Sequence, residues 1–487
     1  MVETGGTVAS ALEPWTTGPR LSAAQEKAAT DQLVAALEGD RSLFAVWLSL
    51  SVLEQALPSE FAVRTNHRRL VSQGARDLVQ SLVGTARVAI RRGGTVELLS
   101  APTIVDVRHT AETDLATGIQ RVARETVKRW DKAHDVTLVT WTRDGRAMRR
   151  LLPAERETAL NSAPPVHSST RRADKKIVVP VGGRYILPEL AAESWRTQRL
   201  SAMAEYGNVR TCVIGFDCVP LTTAETVGDG MPGAFARNLS AVAKMGKVGA
   251  ISDAAATEYR GWRRMLSASG LRGPEIKNVV LAAEPGDHTE EDEREFKELI
   301  ELADLPLVLV VGSHEPRKNH LAVLQAAELA WREGLEFQLV FVGGNSWNSL
   351  DFSDVLQRLK NNGRTVTSVS ALPDRLLWAA YRLSRFTIFA SINEGFGLPV
   401  AESLASGTPV LTSRYGSMEE IASGGGAIVV DPRDDDSVLL GIRSMLRDQE
   451  LYDKLKAEAE SYTVRPWDDY ARDLWDFFTD DVTRELR

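Results

Sequence analysis

From residue 305 to 432 the chain repeats one pattern, in which a short, almost wholly apolar run is followed by a stretch of amphipathic spacing. The runs are LPLVLVVG (305–312), FQLVFVGG (337–344), RTVTSVS (364–370), RFTIFAS (385–391), TPVLTS (408–413) and GAIVVDP (426–432). A strand covered by helices on both faces is apolar at nearly every position, so the alternation predicts a parallel sheet in a doubly wound α/β domain. A second series lies upstream, at TIVDV (103–107), VTLVTW (136–141), KIVVPV (176–181), RTCVIGFD (210–217), KVGAIS (247–252) and NVVLA (278–282). Two such sheets in succession place a cleft between the carboxyl ends of their strands, where ligands of open α/β sheets bind.

At 487 residues the chain exceeds what one core usually organises. The expected division is a helical extension over 1–95, a Rossmann-like domain over 96–285, a second over 286–462, and a helical segment over 463–487 that packs back on the first. AAEPGDHTEEDERE (282–295) is the expected linker. A net charge of −8 offers no general attraction to nucleic acid, whose binding needs a clustered basic face, so no nucleic-acid partner is expected. No apolar run reaches the ~18 residues a spanning helix needs, and MVETGGTVASALEPW lacks a basic region followed by an apolar stretch. A cytoplasmic location follows as the expectation. Cys212 and Cys218 are too few for a zinc site or a disulfide framework.

Residues 64–92 hold seven arginines against one acid, Asp77, with Leu70, Val71, Leu78, Leu82 and Val83 at roughly helical spacing. Two outcomes fit this stretch. The apolar residues either pack inward with the arginines solvated, or form with SLFAVWLSLSVLEQAL (42–57) a peripheral contact with the inner face of a membrane.

The chemistry concentrates in two segments. In VVGSHEPRKNH (310–320) a buried strand ends at Gly312, and a short loop delivers Arg317 and Lys318 to the next helix start. Two cations beside free helix N–H groups favour a diphosphate. In ASINEGFGLPVAESLASGTPV (390–410) a strand gives way to a glycine loop and a helix that begins near Pro399. The amides of Phe396, Gly397 and Leu398 are expected donors toward the cleft. Glu394 is placed to meet a sugar, and Glu402 has the two acceptor oxygens that adjacent ribose hydroxyls require. Taken singly, each feature has a plain structural explanation, a solvated Arg-Lys pair or a carboxylate near a helix start; their joint spacing within one domain points to a site.

These segments, with SGTPV (406–410), GSMEEI (416–421) and VVDP (429–432), resemble the donor-binding domain of the retaining family 4 glycosyltransferases, which have the GT-B fold of two facing Rossmann-like domains. The resemblance implies that Arg317 and Lys318 hold the donor pyrophosphate, that Asn319 and Gly312 belong to the same donor site, and that Glu394 and Glu402 are the paired glutamates of the family signature. Met418 departs from the pattern, which usually has proline there. VDVRHTAETDLATGIQRVARETV (105–127), GFDCVP (215–220) and AISDAAATEY (250–259) resemble acceptor-domain segments of a subset of the family. This implies acceptor-binding roles for Gly118 and Arg121 and a catalytic role for Asp217 beside Arg317, Lys318 and Glu394.

DPRDDDS (431–437) imitates an Asp-x-Asp metal motif, but it lies between a strand and a helix, so its acids read as a helix cap and no metal site or cofactor is expected. His109 and His320 lie beside the proposed site segments and read as local hydrogen-bonding residues. The expected activity is transfer of a sugar from a nucleotide-sugar substrate, GDP-mannose first, to a hydroxyl of a glycan or lipid-linked acceptor. The alternatives are a sugar-nucleotide epimerase, or an idle scaffold subunit of the same fold.

Overall fold

A computed structural model of the protein describes residues 3–16, 21–113, 117–165, 170–346 and 349–480. The N-terminal part is a bundle of helices Glu3–Leu12, Ala23–Gly39, Leu43–Leu53, Glu60–Gln73 and Ala75–Arg91. Three serines start helices here. Ser22, Ser42 and Ser59 each accept a hydrogen bond from the backbone N–H three residues on, satisfying a donor that a helix start leaves unpaired. Helix Leu43–Leu53 is buried from Ala45 to Leu53 and forms the axis of the bundle.

The basic stretch packs in one of the two expected ways. Leu70, Leu78, Leu82 and Val83 turn into the core that the bundle shares with the first sheet, while Val71 stays exposed. On the wet side Arg69 pairs with Asp77 at 2.5 Å, Arg76 with Asp31 at 3.2 Å, and Arg87 with Glu26. The apolar residues of 42–57 are also largely inside, while Phe61, Val71 and Val88 stay exposed on the bundle. Among the described residues, no helix is long and apolar enough to cross a membrane.

The first sheet has, among the described residues, nine strands: β1 (Thr95–Ser100), β2 (Thr103–Asp106), β3 (Thr137–Trp141), β4 (Met148–Arg150), β5 (Lys176–Val181), β6 (Arg184–Leu187), β7 (Arg210–Gly215), β8 (Lys247–Ala250) and β9 (Glu275–Asn278). Their order is β1-β5-β4-β3-β2-β6-β7-β8-β9, with β4 antiparallel to both neighbours. β1, β4 and β6 are additions to the six upstream runs; β4 (MRR) is mostly charged, and only Gly182 and Gly183 separate β6 from β5. The last strand begins and ends earlier than NVVLA. Residues beyond it still follow β8, since Val279 N–H donates to the Ala250 carbonyl at 2.8 Å.

The second sheet holds β10 (Leu307–Val311), β11 (Gln338–Val342), β12 (Val366–Val369), β13 (Phe386–Phe389), β14 (Val410–Ser413) and β15 (Ala427–Val430), in the order β12-β11-β10-β13-β14-β15 and all parallel. Each lies within its expected run, trimmed by at most two residues at either end where backbone pairing stops. Helix Trp467–Thr479 returns to the first domain, where Trp130 Nε1 donates to the Ala471 carbonyl at 2.8 Å. One apolar cluster joins the two halves. Ile214 and Phe216 from the end of β7 pack in it with Phe389, Phe396, Val400 and Met418 of the second domain.

Candidate active site

Strand β10 ends at Gly312, and the loop after it makes a single turn, Pro316–Lys318, before helix His320–Arg332. That turn presents Arg317 and Lys318 to the loop after β13. There Glu394 accepts from Lys318 Nζ at 2.7 Å and forms an ion pair with Arg317. The three side chains are only 10–16% exposed. Arg317 also donates to Glu315 at 2.7 Å and to the Asn393 carbonyl at 2.9 Å. Lys318 runs past Gly312 and places its ammonium 4.7 Å from the centre of the Phe389 ring. The Ser391 hydroxyl donates to Glu394 at 2.5 Å, so this carboxylate has three partners in its own domain.

Burial alone would raise the pKa of Glu394, but the two cations outweigh it and hold the carboxyl at about 2. The same burial lowers Lys318, with Arg317 adding to the effect against the pull of Glu394. Arg317 meets the same penalty, yet Glu394 and Glu315 raise it above its ordinary value. The site is thus a dense group of charges, with two cations about Glu394 and Glu315 on the far side of Arg317.

Across the cleft stands Asp217, just beyond β7. Burial pushes its carboxyl up to about 6 against the opposing pull of Arg317. Gly395 lies against this strand end: a Cβ there would sit 2.6 Å from the Phe216 carbonyl oxygen and 2.8 Å from Asp217 Oδ2. Ser252, the N-cap of helix Asp253–Ala268, donates to the Gly395 carbonyl at 2.6 Å and accepts from Ala255 N–H. Glu420 binds the start of that helix too, accepting from Asp253 N–H at 3.1 Å. Gly397 caps helix Leu398–Ala405 at φ +97°, a left-handed conformation that a side chain would strain. Phe396 is buried in the interdomain core, so what its segment offers the cleft is backbone.

Glu402 lies inside helix Leu398–Ala405 and is buried. It accepts from the Tyr381 hydroxyl at 2.9 Å and pairs with Arg121, which arrives from the other domain on helix Gly118–Ala133. Thr117 and Gln120 form a capping box at the start of that helix, the physical content of the TGIQ spacing. Gly118 packs 3.7 Å from Leu398. The arginine expected on the acceptor side therefore touches Glu402 of the second domain. Asn319 turns away, with its amide donating to the Pro432 carbonyl at 2.6 Å.

Of the two histidines, His320 is buried, held near pKa 3 mainly by desolvation, and edge-on to Phe341. His109 pairs with Glu193 at 3.1 Å. Asp434 accepts from Asp436 N–H at 3.1 Å and caps helix Asp435–Arg447, while Asp431 pairs with Arg414.

One cluster carries no signal in the sequence. Arg196 is fully buried and donates to Glu189 and pairs with Asp106, each at 3.0 Å. Asp106 also accepts from Trp141 at 2.6 Å and from the Tyr185 hydroxyl at 2.5 Å. Glu189 in turn accepts from the His109 and Thr110 N–H groups, fixing the segment after β2 at the cleft edge. Ser391, Glu315 and Tyr381, which support the donor-side glutamates, were likewise unmarked; Glu315, two residues before Arg317, was the nearest to a signal.

The family model for glycosyl transferases group 1 matches residues 291–462. The matched segment is just over a third of the chain and is similar to a group 1 glycosyl transferase domain. It contains Arg317, Lys318, Glu394 and Glu402, so that charge cluster lies within it. The chain is 27% identical to the serotype-specific mannosyltransferase WbdA of Escherichia coli over 336 residues, which is 66% of this chain and 38% of WbdA. The chain thus spans under two fifths of that relative's length. It is 31% identical over 187 residues to D-inositol 3-phosphate glycosyltransferase of Nocardia farcinica, covering 35% of this chain and 42% of the relative. Among solved structures, HepE of Anabaena in complex with UDP and glucose superposes with a TM-score of 0.56 at 11% identity, over 78% of this chain and 100% of HepE. Sucrose-phosphate synthase of Thermosynechococcus elongatus gives 0.55 at 14% identity, over 79% and 98%. These likenesses extend beyond the group 1 domain to both sheets, and the fold is GT-B.

Proposed function

We propose that the protein is a glycosyltransferase that moves a sugar from a nucleoside diphosphate to a hydroxyl of a glycan or lipid-linked acceptor, with retention and without a metal ion. The observation that carries this reading is the meeting of Arg317 and Lys318 about Glu394, at the mouth of a cleft whose other wall is Asp217. Departure of a diphosphate builds negative charge as the sugar becomes oxocarbenium-like. Cations already fixed in place, in a site that excludes water, stabilise that charge without having to reorganise. The diphosphate then shares the two cations that Glu394 bridges, and the freed carboxylate oxygens accept from sugar hydroxyls. Glu402, with two acceptor oxygens deep in the same domain, suits adjacent ribose hydroxyls, for which Arg121 would give way.

GDP-mannose is the first candidate donor; the mannosyltransferase relative supports mannose as the sugar. Retention follows from the resemblance to family 4. The cationic pair supplies the charge a divalent ion would otherwise bring, and Asp434 and Asp436 are engaged at a helix start. Asp217, the one site carboxyl raised toward neutrality, faces the sugar side and is placed to hold a hydroxyl. The place of action is the cytoplasm, at the inner face of the membrane when the acceptor is lipid-linked.

The test is transfer from radiolabelled GDP-mannose to a mannose-terminated acceptor, with and without EDTA, beside UDP-, ADP- and dTDP-sugars. Transfer that survives EDTA is expected. Loss in EDTA with rescue by Mn²⁺ would overturn the metal-free reading, and sugar-nucleotide conversion without any acceptor would favour an epimerase.

A further inference from the structure

Both carboxylate oxygens of Glu402 are engaged, each from a different domain. Oε2 accepts from the Tyr381 hydroxyl at 2.9 Å within the second domain, and Oε1 is held by Arg121 of the first. The Glu402 side chain is only 4% exposed, so a pair of adjacent hydroxyls reaches it only where one of these partners withdraws. Tyr381 is the fixed one: it is fully buried, and its backbone carbonyl accepts from the Thr408 hydroxyl at 2.8 Å. Arg121 is 29% exposed and arrives on helix Gly118–Ala133 of the other domain. Its guanidinium and a ribose hydroxyl are both donors, and they compete for the same carboxylate oxygen.

A second carboxylate of the second domain also acts on Arg121. Burial alone would lower the guanidinium pKa, but Glu402 and Asp374 hold it above its ordinary value. Asp374 is exposed at the start of helix Asp374–Leu383, and the guanidinium lies 5.8 Å from the centre of the Trp378 ring on the same helix. Withdrawal from Glu402 therefore leaves Arg121 beside an anion and an aromatic face. The chain crosses between the domains at the same place: a Cβ on Gly286 of the linker would lie 2.3 Å from Trp378 Nε1, so the linker backbone runs against that indole. The other cleft contacts, Ser252 to the Gly395 carbonyl and Asn393 to the Thr222 hydroxyl, leave Glu402 untouched.

We infer that Arg121 is a latch on the empty donor site: it holds Glu402 until the ribose hydroxyls of the nucleotide take its place, and its release toward Asp374 loosens the two domains at this edge. The inference rests on the transferase reading, with Glu402 as the ribose carboxylate, and adds the regulation of that site. A latch of this kind lowers the apparent affinity for the nucleotide by the fraction of molecules in which Glu402 is free. The penalty falls on the ribose contact alone, because the diphosphate meets Arg317 and Lys318 and not Arg121.

The test titrates GDP and 2′,3′-dideoxy-GDP calorimetrically into the full-length wild type and Arg121→Met, with Arg121→Gln as a second variant should the first fail to fold. The variant is expected to bind GDP about fivefold tighter or more, the low end of the usual coupling between linked equilibria, and dideoxy-GDP within about twofold of wild type. Unchanged or weaker GDP binding would overturn the latch, and so would an equal gain for both nucleotides, which would make Arg121 a plain steric block. Hydrogen exchange without ligand supplies a second readout: the variant should exchange faster than wild type over residues 118–121 and 398–402. Unchanged exchange there would overturn the latch whatever nucleotide binds. A wild type that binds no GDP would count instead against the donor site as proposed, with the ligand-free exchange still deciding the latch, and GDP binding without any sugar transfer would count against the transferase reading and leave the latch standing.

Discussion

Glu394→Gln keeps the shape of the side chain and removes the one carboxylate that Arg317 and Lys318 share. Breaking a buried ion pair by deleting one partner costs about 3–5 kcal/mol, because a charge is left buried without compensation. Arg317 keeps Glu315 at 2.7 Å and the Asn393 carbonyl at 2.9 Å, whereas no other acceptor holds the Lys318 ammonium among the described residues, so the low end of that range applies. At roughly 2–4 °C per kcal/mol for a domain of this size, a loss of about 6–12 °C in Tm is expected. Saturating GDP, at about a hundred times its Kd, stabilises any folded protein that binds it by ~2.7 kcal/mol. In the variant the diphosphate meets two cations that Glu394 no longer neutralises, so GDP should raise Tm by more than it does in the wild type. Glycosyl transfer should fall at least tenfold, because the sugar loses its acceptor. Differential scanning fluorimetry with and without GDP, beside the transfer assay, reads all three effects. A Tm within 2 °C of wild type, or a smaller GDP gain with transfer intact, would refute the reasoning.

Two further predictions concern the opposite wall. Burial holds Asp217 near pKa 6 against an ordinary 3.8, so its ionisation opposes folding by an amount absent at low pH that grows as pH rises through that interval. Asp217→Asn should therefore change Tm little at pH 4 and raise it at pH 7.5, by up to ~3 kcal/mol equivalent; a pH-independent difference in thermal scans would contradict this. Gly395→Ala would place a methyl 2.6 Å from the Phe216 carbonyl oxygen, so the cleft walls must part. Overpacking of this kind costs about 1–3 kcal/mol, and transfer should drop at least tenfold with circular dichroism unchanged; full activity would show that the loop need not touch β7.

Much of the second domain was legible because strands buried on both faces must be apolar throughout, and a run such as LPLVLVVG leaves little alternative to a central strand. The donor-side cluster was legible for a related reason: strand ends and helix starts fix where Arg317, Lys318, Glu394 and Glu402 stand in the chain, and a parallel sheet brings its strand ends to one edge. What stayed hidden were contacts between residues far apart in sequence. Nothing in TGIQRV reveals that Arg121 crosses the cleft to Glu402, because that pairing depends on how the two domains close on each other. Nor does an arginine in SWRTQRL announce that it is fully buried beneath Asp106 and Glu189. β4 escaped because two of its three residues are arginines, and β6 because only a pair of glycines separates it from β5. The basic stretch over 64–92 had a composition that fitted two environments, and most of its apolar residues pack against helix Leu43–Leu53 and the first sheet.

The central claim is that Arg317 and Lys318 hold the diphosphate whose departure drives transfer. Its most direct measurement is the rate of mannosyl transfer from GDP-mannose by Arg317→Ala and Lys318→Ala, with circular dichroism confirming the fold. Loss of one such fixed cationic donor commonly costs about 10²–10³ in rate, and each variant is predicted to fall at least tenfold while folded. If both keep more than half of the wild-type rate, the diphosphate does not bind there and the account is wrong.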